Sequence, residues 1–169
     1  GDFVQNRMKL PLKIKAAFPN KFRMDMVFNN LSFIKVTNGQ TTWEYNPMND
    51  TVVVKTEKDP IATDFIDRWT GGLYKYKNEK VKIKLLESTK IEDIDVYKIE
   101  FSAEEKTRFF YIDKLSYLVL RVDDDVEEKK ITYYKDYKKV DKYYLPHSLL
   151  GYEHGIPTLS MEFKSVKLN

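Results

Sequence analysis

Apolar and polar residues alternate with a period of two along most of this chain, and that spacing commits it to sheet. Met8, Leu10, Leu12 and Ile14 alternate with Lys9, Pro11, Lys13 and Lys15, the pattern of a strand with one wet face. Pro11 has no N–H to give to a ladder, which predicts an edge strand or a bulge at that point. After a turn at Pro19-Asn20, Phe22, Met24, Met26 and Phe28 fall on one face, with Arg23 and Asp25 on the other. Asn29-Asn30 turns the chain into a strand over 31–37. Asn38-Gly39 is the strongest hairpin signal, because both residues tolerate the positive φ of a type I′ turn. It leads into a strand over 41–45, closed by Asn46-Pro47, and then a short one over 51–55.

The periodicity then changes. Asp59-Pro60 combines a side-chain cap with proline at the first helical position. Ile61, Phe65 and Trp69 follow at i, i+4 and i+8, with Ala62 and Ile66 beside them, so one apolar stripe lies on a short amphipathic helix. Gly71-Gly72 ends it, since glycine takes a left-handed C-terminal position without steric cost. Strands resume at Val81, Ile83 and Leu85 and continue through Tyr97, Ile99 and Phe101 to segments over 108–112, 117–122, 131–137, 143–152 and 158–168.

About ten short strands at such spacing predict a mainly β (α+β) fold of antiparallel meander or barrel type. With one helix to cover a large apolar face, the economical arrangement is a strongly curved antiparallel half-open β-barrel, the short helix lying across its concave apolar face. No repeat, low-complexity tract or linker breaks the 169 residues, so one domain over 1–169 is expected. The aromatic content (12 Tyr, 10 Phe and 2 Trp) supports sheet, since such side chains fit pleated, half-buried surfaces.

Several functions are disfavoured by what the chain contains. The net charge is +3, from 29 basic and 26 acidic residues with signs interspersed, which gives no electrostatic footprint for nucleic acid. The alternate lysines Lys9, Lys13, Lys15 and Lys80, Lys82, Lys84 read as a solvated outer face. Without cysteine there is no disulfide framework, thiolate metal site or cysteine nucleophile. No apolar run approaches the ~20 residues that span a bilayer as a helix. The abrupt start at Gly1-Asp2-Phe3 suggests that a signal peptide has been removed.

Catalysis has little to work with. His147, after Pro146 in a strand, and His154, before Gly155 in a turn, read as surface or sheet-edge histidines, and neither lies at metal-ligand spacing. No cofactor or metal is implied, and no enzyme is expected; a buried carboxylate cluster with His147 would revive that reading. What remains is the interior face. Met24, Met26 and Phe28 are large and adaptable, and Phe65, Ile66 and Trp69 offer a second apolar surface. Alternation leaves open whether these residues form an ordinary core or line a cavity.

A resemblance bears on that choice. Pro19-Asn20-Lys21-Phe22-Arg23-Met24, then Asn38-Gly39-Gln40-Thr41-Thr42-Trp43-Glu44-Tyr45-Asn46-Pro47, resembles the periplasmic lipoprotein-sorting proteins of the LolA/LolB-like superfamily. Tyr111-Ile112-Asp113, the run from Lys135 to Val140 before Tyr144-Leu145-Pro146, and Val166-Lys167-Leu168-Asn169 follow in the order of that family. The similarity covers nearly the whole chain and looks closest to the Bacteroidetes-type branch of outer membrane lipoprotein-sorting proteins. It implies an eleven-stranded half-barrel closed by helices, whose apolar cavity takes the acyl chains of a lipoprotein or lipid in the periplasm. Met24, Met26, Phe28, Trp43, Phe65, Ile66 and Trp69 are then the cavity candidates.

Expected partners are acyl chains and envelope membrane proteins, with no nucleic acid, and the protein is expected to be a monomer. Related folds also serve as envelope-sensing or protein-interaction modules, which is the alternative. Three departures limit the transfer. The chain enters at about the family's second strand, without its N-terminal helix and first strand. Phe18 stands where carriers often place a lid-latching arginine. The chain stops at Asn169, without the C-terminal extension of some carriers.

Overall fold

In the computed structural model, residues 1–5, 8–17, 20–56, 65, 69, 73, 77, 80–103, 106–125 and 129–168 are described. Their strands are mostly antiparallel, and their contacts divide into two compact units, 1–72 with 162–164 and 73–161 with 165–169.

In the first unit, β1 (Asp2–Gln5), β2 (Met8–Ala17), β3 (Lys21–Phe28), β4 (Leu31–Thr37), β5 (Thr42–Asn46) and β6 (Thr51–Lys55) pair in sequence order. Registers without slips fix the faces. Ile14 faces Met24, Met24 faces Lys35, Lys35 faces Glu44 and Glu44 faces Val53. One face therefore carries Leu12, Ile14, Phe22, Met24, Met26, Phe28, Leu31 and Phe33, and the other Lys13, Lys15, Arg23, Asp25, Ile34, Val36 and Trp43, as period two demands. On the wet face Arg23 grips Asp25 through Nη2–Oδ1 at 2.6 Å, and this holds the Asp25 carboxyl below the usual carboxylate range.

One turn expectation needs correction. The type I′ signature, positive φ at both central residues, belongs to Asn29-Asn30 (49° and 60°), which joins Phe28 directly to its partner Leu31. At Asn38-Gly39 only Gly39 has positive φ (96°). Thr37 pairs with Thr42, so the loop has four residues, held by Asn38 Oδ1 accepting from the N–H groups of Gln40 and Thr41, both at 2.9 Å. Asparagine's side chain here substitutes for a tighter backbone turn.

Pro11 is neither at a sheet edge nor in a bulge, since β2 lies between β1 and β3. Leu12 N–H donates to the Gly1 carbonyl on the β1 side at 2.7 Å. Alternation then points the Pro11 nitrogen toward β3, and the β2–β3 ladder begins only at Leu12. The missing donor costs no ladder bond.

The second unit orders its strands β14-β13-β12-β11-β10-β9-β7, with β8 also on β9. These are β7 (Val81–Leu85), β8 (Thr89–Ile91), β9 (Ile94–Ala103), β10 (Lys106–Asp113), β11 (Val119–Asp125), β12 (Lys130–Val140), β13 (Tyr143–Glu153) and β14 (Ile156–Glu162), whose last residue groups with the first unit. Fourteen described strands thus exceed the ten expected; β1 and β8 are too short to show alternation. The core of this unit is Phe101, Phe110, Val122, Tyr134 and Leu149, all buried, with Phe101 and Phe110 edge to face at 5.6 Å.

Of the expected helix over 59–72, Phe65 and Trp69 are helical, and Ile61, Ala62 and Ile66 lie outside the described residues.

Candidate functional site

The apolar face of the first unit is unevenly covered. Along β3 burial falls from Phe22, 3 % exposed, through half-buried Met24 and Met26 to Phe28 at 36 %. Phe22 is covered by helical Phe65, with ring centroids 5.2 Å apart. Phe65 stacks on Trp69 at 6.2 Å, and Trp69 meets Phe163 at 6.1 Å. A row of four aromatic rings therefore closes one end of the face. Such pairs contribute about 0.5–1.5 kcal/mol each beyond the area they bury.

Beyond that row the face opens into a cleft of ≈ 350 Å³, lined among others by Met24, Phe33, Lys35, Glu44, Asn46 and Val53. Its walls are thioether, ring and methyl groups. Two of its lining residues form an ion pair, Lys35 Nζ lying 3.1 Å from Glu44 Oε1, and Lys55, beside the cleft, places its Nζ 2.8 Å from Glu44 Oε2. The Lys55 hydrogen bond, with help from Lys35, holds the Glu44 carboxyl below its ordinary range despite partial burial. On the same face Thr42 is buried, and its hydroxyl has no hydrogen-bond partner.

The structure brings together Met24 at the cleft, Met26 and Phe28 along the same face, and Phe65 and Trp69 in the aromatic row. It does not bring Trp43 to them. Trp43 faces Val36, which faces Arg23, so it lies on the opposite, wet face. Ile66 lies outside the described residues. Phe33, Lys35, Glu44, Val53 and Phe163 are the site residues the sequence reading missed. The signal was present for Lys35, a lysine at an in-face position of β4, but its partner depends on the hairpin register. A two-residue turn at Asn38-Gly39 would have set Lys35 opposite Thr42 instead of Glu44.

Neither histidine joins this face. His147 is buried in β13, where a surface or edge position is expected, because β13 runs between β12 and β14; its Nδ1 lies 3.0 Å from the Leu145 carbonyl. His154 is exposed beside Gly155, both with positive φ. Among the described residues no three His, Asp or Glu side chains gather as metal ligands would.

Antiparallel sheet in both units, with a cleft on the apolar face of the first, is the class this chain falls into. Solved structures narrow it to the LolA-like fold. A LolA superfamily protein from Nitrosomonas europaea matches with a TM-score of 0.58 at 8% identity, over 98% of this chain and 83% of its own. A Vibrio parahaemolyticus domain named for outer membrane lipoprotein sorting matches at 0.55 and 16%, over 93% and 75%. A DUF1329 family protein from Desulfovibrio piger matches at 0.58 and 12%, over 99% and 82%. The resemblance in the sequence is thus borne out as a shared fold. No protein-family model matches the sequence, and no curated protein matches it either.

Proposed function

We propose that this chain is a single lipid-binding domain of the bacterial periplasm, a half-open barrel that sequesters the acyl chains of a lipid or lipoprotein and catalyses nothing. The observation that carries this reading is the cleft beside the Phe22–Phe65–Trp69 row, an incompletely filled apolar face on a LolA-like fold. Packed interiors leave few voids larger than water, and a concave apolar site with a few polar groups is the usual form of a small-molecule pocket. The helix bearing Phe65 and Trp69 acts as its cover, and Met24, Met26 and Phe28 form the track along which the chain lies. Each buried methylene contributes about 0.8 kcal/mol, and the membrane offers the same gain. A carrier therefore needs a face that nearly matches the bilayer, so that cargo can leave again. A partly exposed track meets that need better than a sealed cavity.

Displacement of a fluorescent fatty acid from refolded, delipidated protein tests the proposal. Saturable binding is expected, weakened at least about tenfold by Met24→Arg, since a charge on that face is costly to desolvate. Absence of saturable binding sinks the reading.

A protein-interaction role is the second reading, supported by Val52, Val53 and Val54, which are 60%, 48% and 55% exposed on β6. Among the described strands β6 pairs only with β5, so its far edge offers backbone groups to a partner strand. Capture of a partner protein that is lost in Val54→Lys, with fatty-acid binding undiminished, would favour it.

A further inference from the structure

The other face of the first unit, the one that carries Arg23, is divided into two zones. Its registers lay out two rows across the strands: Lys15, Arg23, Val36, Trp43 and Val54 in one, and Lys13, Asp25, Ile34, Tyr45 and Val52 in the other. On β2 and β3 both rows are charged; on β4, β5 and β6 both are aliphatic or aromatic. Directly opposed side chains in such rows lie about 4.5–5.5 Å apart, so the apolar six form one continuous patch. Val52 and Val54, at its edge, are 60% and 55% exposed, and the other four are half-buried. Ile34 and Tyr45 also border the cleft; Val36, Trp43, Val52 and Val54 do not. The charge beside the patch is one-sided. Lys13, Lys15, Lys21 and Arg23 share the face with Asp25, which Arg23 grips. Asp2, opposite Pro11, is held by Lys164 at 3.1 Å, and Asp50, in the turn before β6, accepts from the Tyr45 hydroxyl at 3.2 Å. Five cations against three carboxylates leave the described part of this face positive.

We infer that this face docks on an anionic lipid surface, with Val52, Val54 and Trp43 entering the headgroup boundary and Lys13 and Lys15 meeting the phosphates beside them. The division into zones is what such a surface selects. Aliphatic side chains gain by leaving water for the acyl boundary. Trp and Tyr settle at headgroup level, where an apolar body and a polar tip are both accommodated. Lysines close to anionic headgroups are attracted over a Debye length. A second copy of the chain seated on the patch would bring the same positive zone with it, and like charges facing each other oppose docking. A negatively charged bilayer complements both zones at once. Trp43, which the register turns away from Met24 and Phe33, has its use on this side. The inference does not depend on what the cleft holds.

Co-sedimentation of the full chain with vesicles tests the inference, using phosphatidylcholine mixed with phosphatidylglycerol against phosphatidylcholine alone. Partition to the anionic vesicles is expected to be at least about tenfold stronger and to weaken with added salt. Lys13→Gln with Lys15→Gln should remove most of that preference, about fivefold per lysine. Val52→Ser with Val54→Ser should weaken partition to the anionic vesicles about tenfold, and both side chains are exposed enough for the fold to survive. Lys82→Gln with Lys84→Gln, the matching lysine pair on β7, should leave partition unchanged, as should Met24→Arg at the cleft. Brominated acyl chains should quench the tryptophan emission of the parent but not that of Trp43→Tyr, which keeps Trp69. Absence of partition to anionic vesicles overturns the inference. Equal losses in the β7 lysine variant would reduce it to general charge, and quenching that persists in Trp43→Tyr or partition lost in Met24→Arg would move the contact to the cleft. A dimer in sedimentation equilibrium that Val52→Ser with Val54→Ser abolishes would assign the face to a second copy instead.

Discussion

The two units use the same alternation to opposite ends. In the second, the central in-facing side chains are sealed, with Phe110 0% exposed, Val122 1% and Leu149 2%, and the face opens only toward Ile83 and Leu85 on its β7 side. Its other face is also satisfied internally. Arg121 pairs with Asp123 at 2.6 Å and lies over the rings of Tyr111 and Tyr133 at 4.9 and 5.6 Å, while Lys98 lies over Phe109 at 4.8 Å. In the first unit only Leu12, Phe22 and Phe65 among the described hydrophobics are buried, and Met24, Met26 and Phe33 stay half-covered. A sheet that can seal one apolar face with its own side chains and leaves another open is not short of hydrophobic residues. The open face is where a foreign hydrocarbon can contribute to stability as the missing core.

The largest test of this contrast compares one ring from each face. Phe110→Ala empties a closed core and should cost about 3–5 kcal/mol in urea unfolding. Phe33→Ala removes a ring that is only partly covered and should cost about 1 kcal/mol. Equal losses would mean that the first unit is packed as tightly as the second and has no room for a ligand. Added fatty acid should raise the stability of the parent protein with the logarithm of its free concentration above Kd, and less so for Phe33→Ala.

How much of this contrast was legible in the sequence follows from what alternation can carry. Period two placed Phe22, Met24, Met26 and Phe28 together and Arg23 and Asp25 opposite, because a strand allows no other division. It could also have excluded Trp43, which is one residue out of phase with Glu44 and Thr42 on β5; the family motif, not the period, drew it into the site. The Lys35–Glu44–Lys55 triad was out of reach. It depends on a register set by whether Asn38 spends its side chain on the Gln40 and Thr41 N–H groups, and composition does not reveal that. Burial was equally hidden, since alternation gives Phe110 and Phe28 the same reading although one is sealed and the other 36 % exposed.

A smaller effect with the opposite sign comes from Thr42. Its hydroxyl is buried on the open face without a partner, a desolvation cost that sheet pairing does not recover. Thr42→Val keeps the shape and β-branching and removes that group. It should stabilise the protein by about 1 kcal/mol in the ligand-free state. A loss of similar size would mean that the hydroxyl is satisfied and the face is better sealed there than the contrast requires.

The last effect vanishes at neutral pH and tests the closed side alone. Burial, then the neighbouring Asp123 carboxylate, pushes the Tyr111 phenol up to about 12, while its hydroxyl donates to Asp123 Oδ2 at 3.1 Å. Tyr137 is raised as well, by burial, with its hydroxyl donating to the Val119 carbonyl at 2.5 Å. In the unfolded chain a tyrosine loses its proton near pH ~10. Between that value and about 12 the folded state holds more protons than the unfolded one, so stability is intact below the window and falls as pH rises through it. Tyr111→Phe should flatten part of that fall and leave the Arg121–Asp123 pair in place. Phenolate absorbance should show Tyr111 titrating late in the folded parent. Titration of Tyr111 in the ordinary phenol range would show that water reaches this face, and the second unit would then be no more closed than the first.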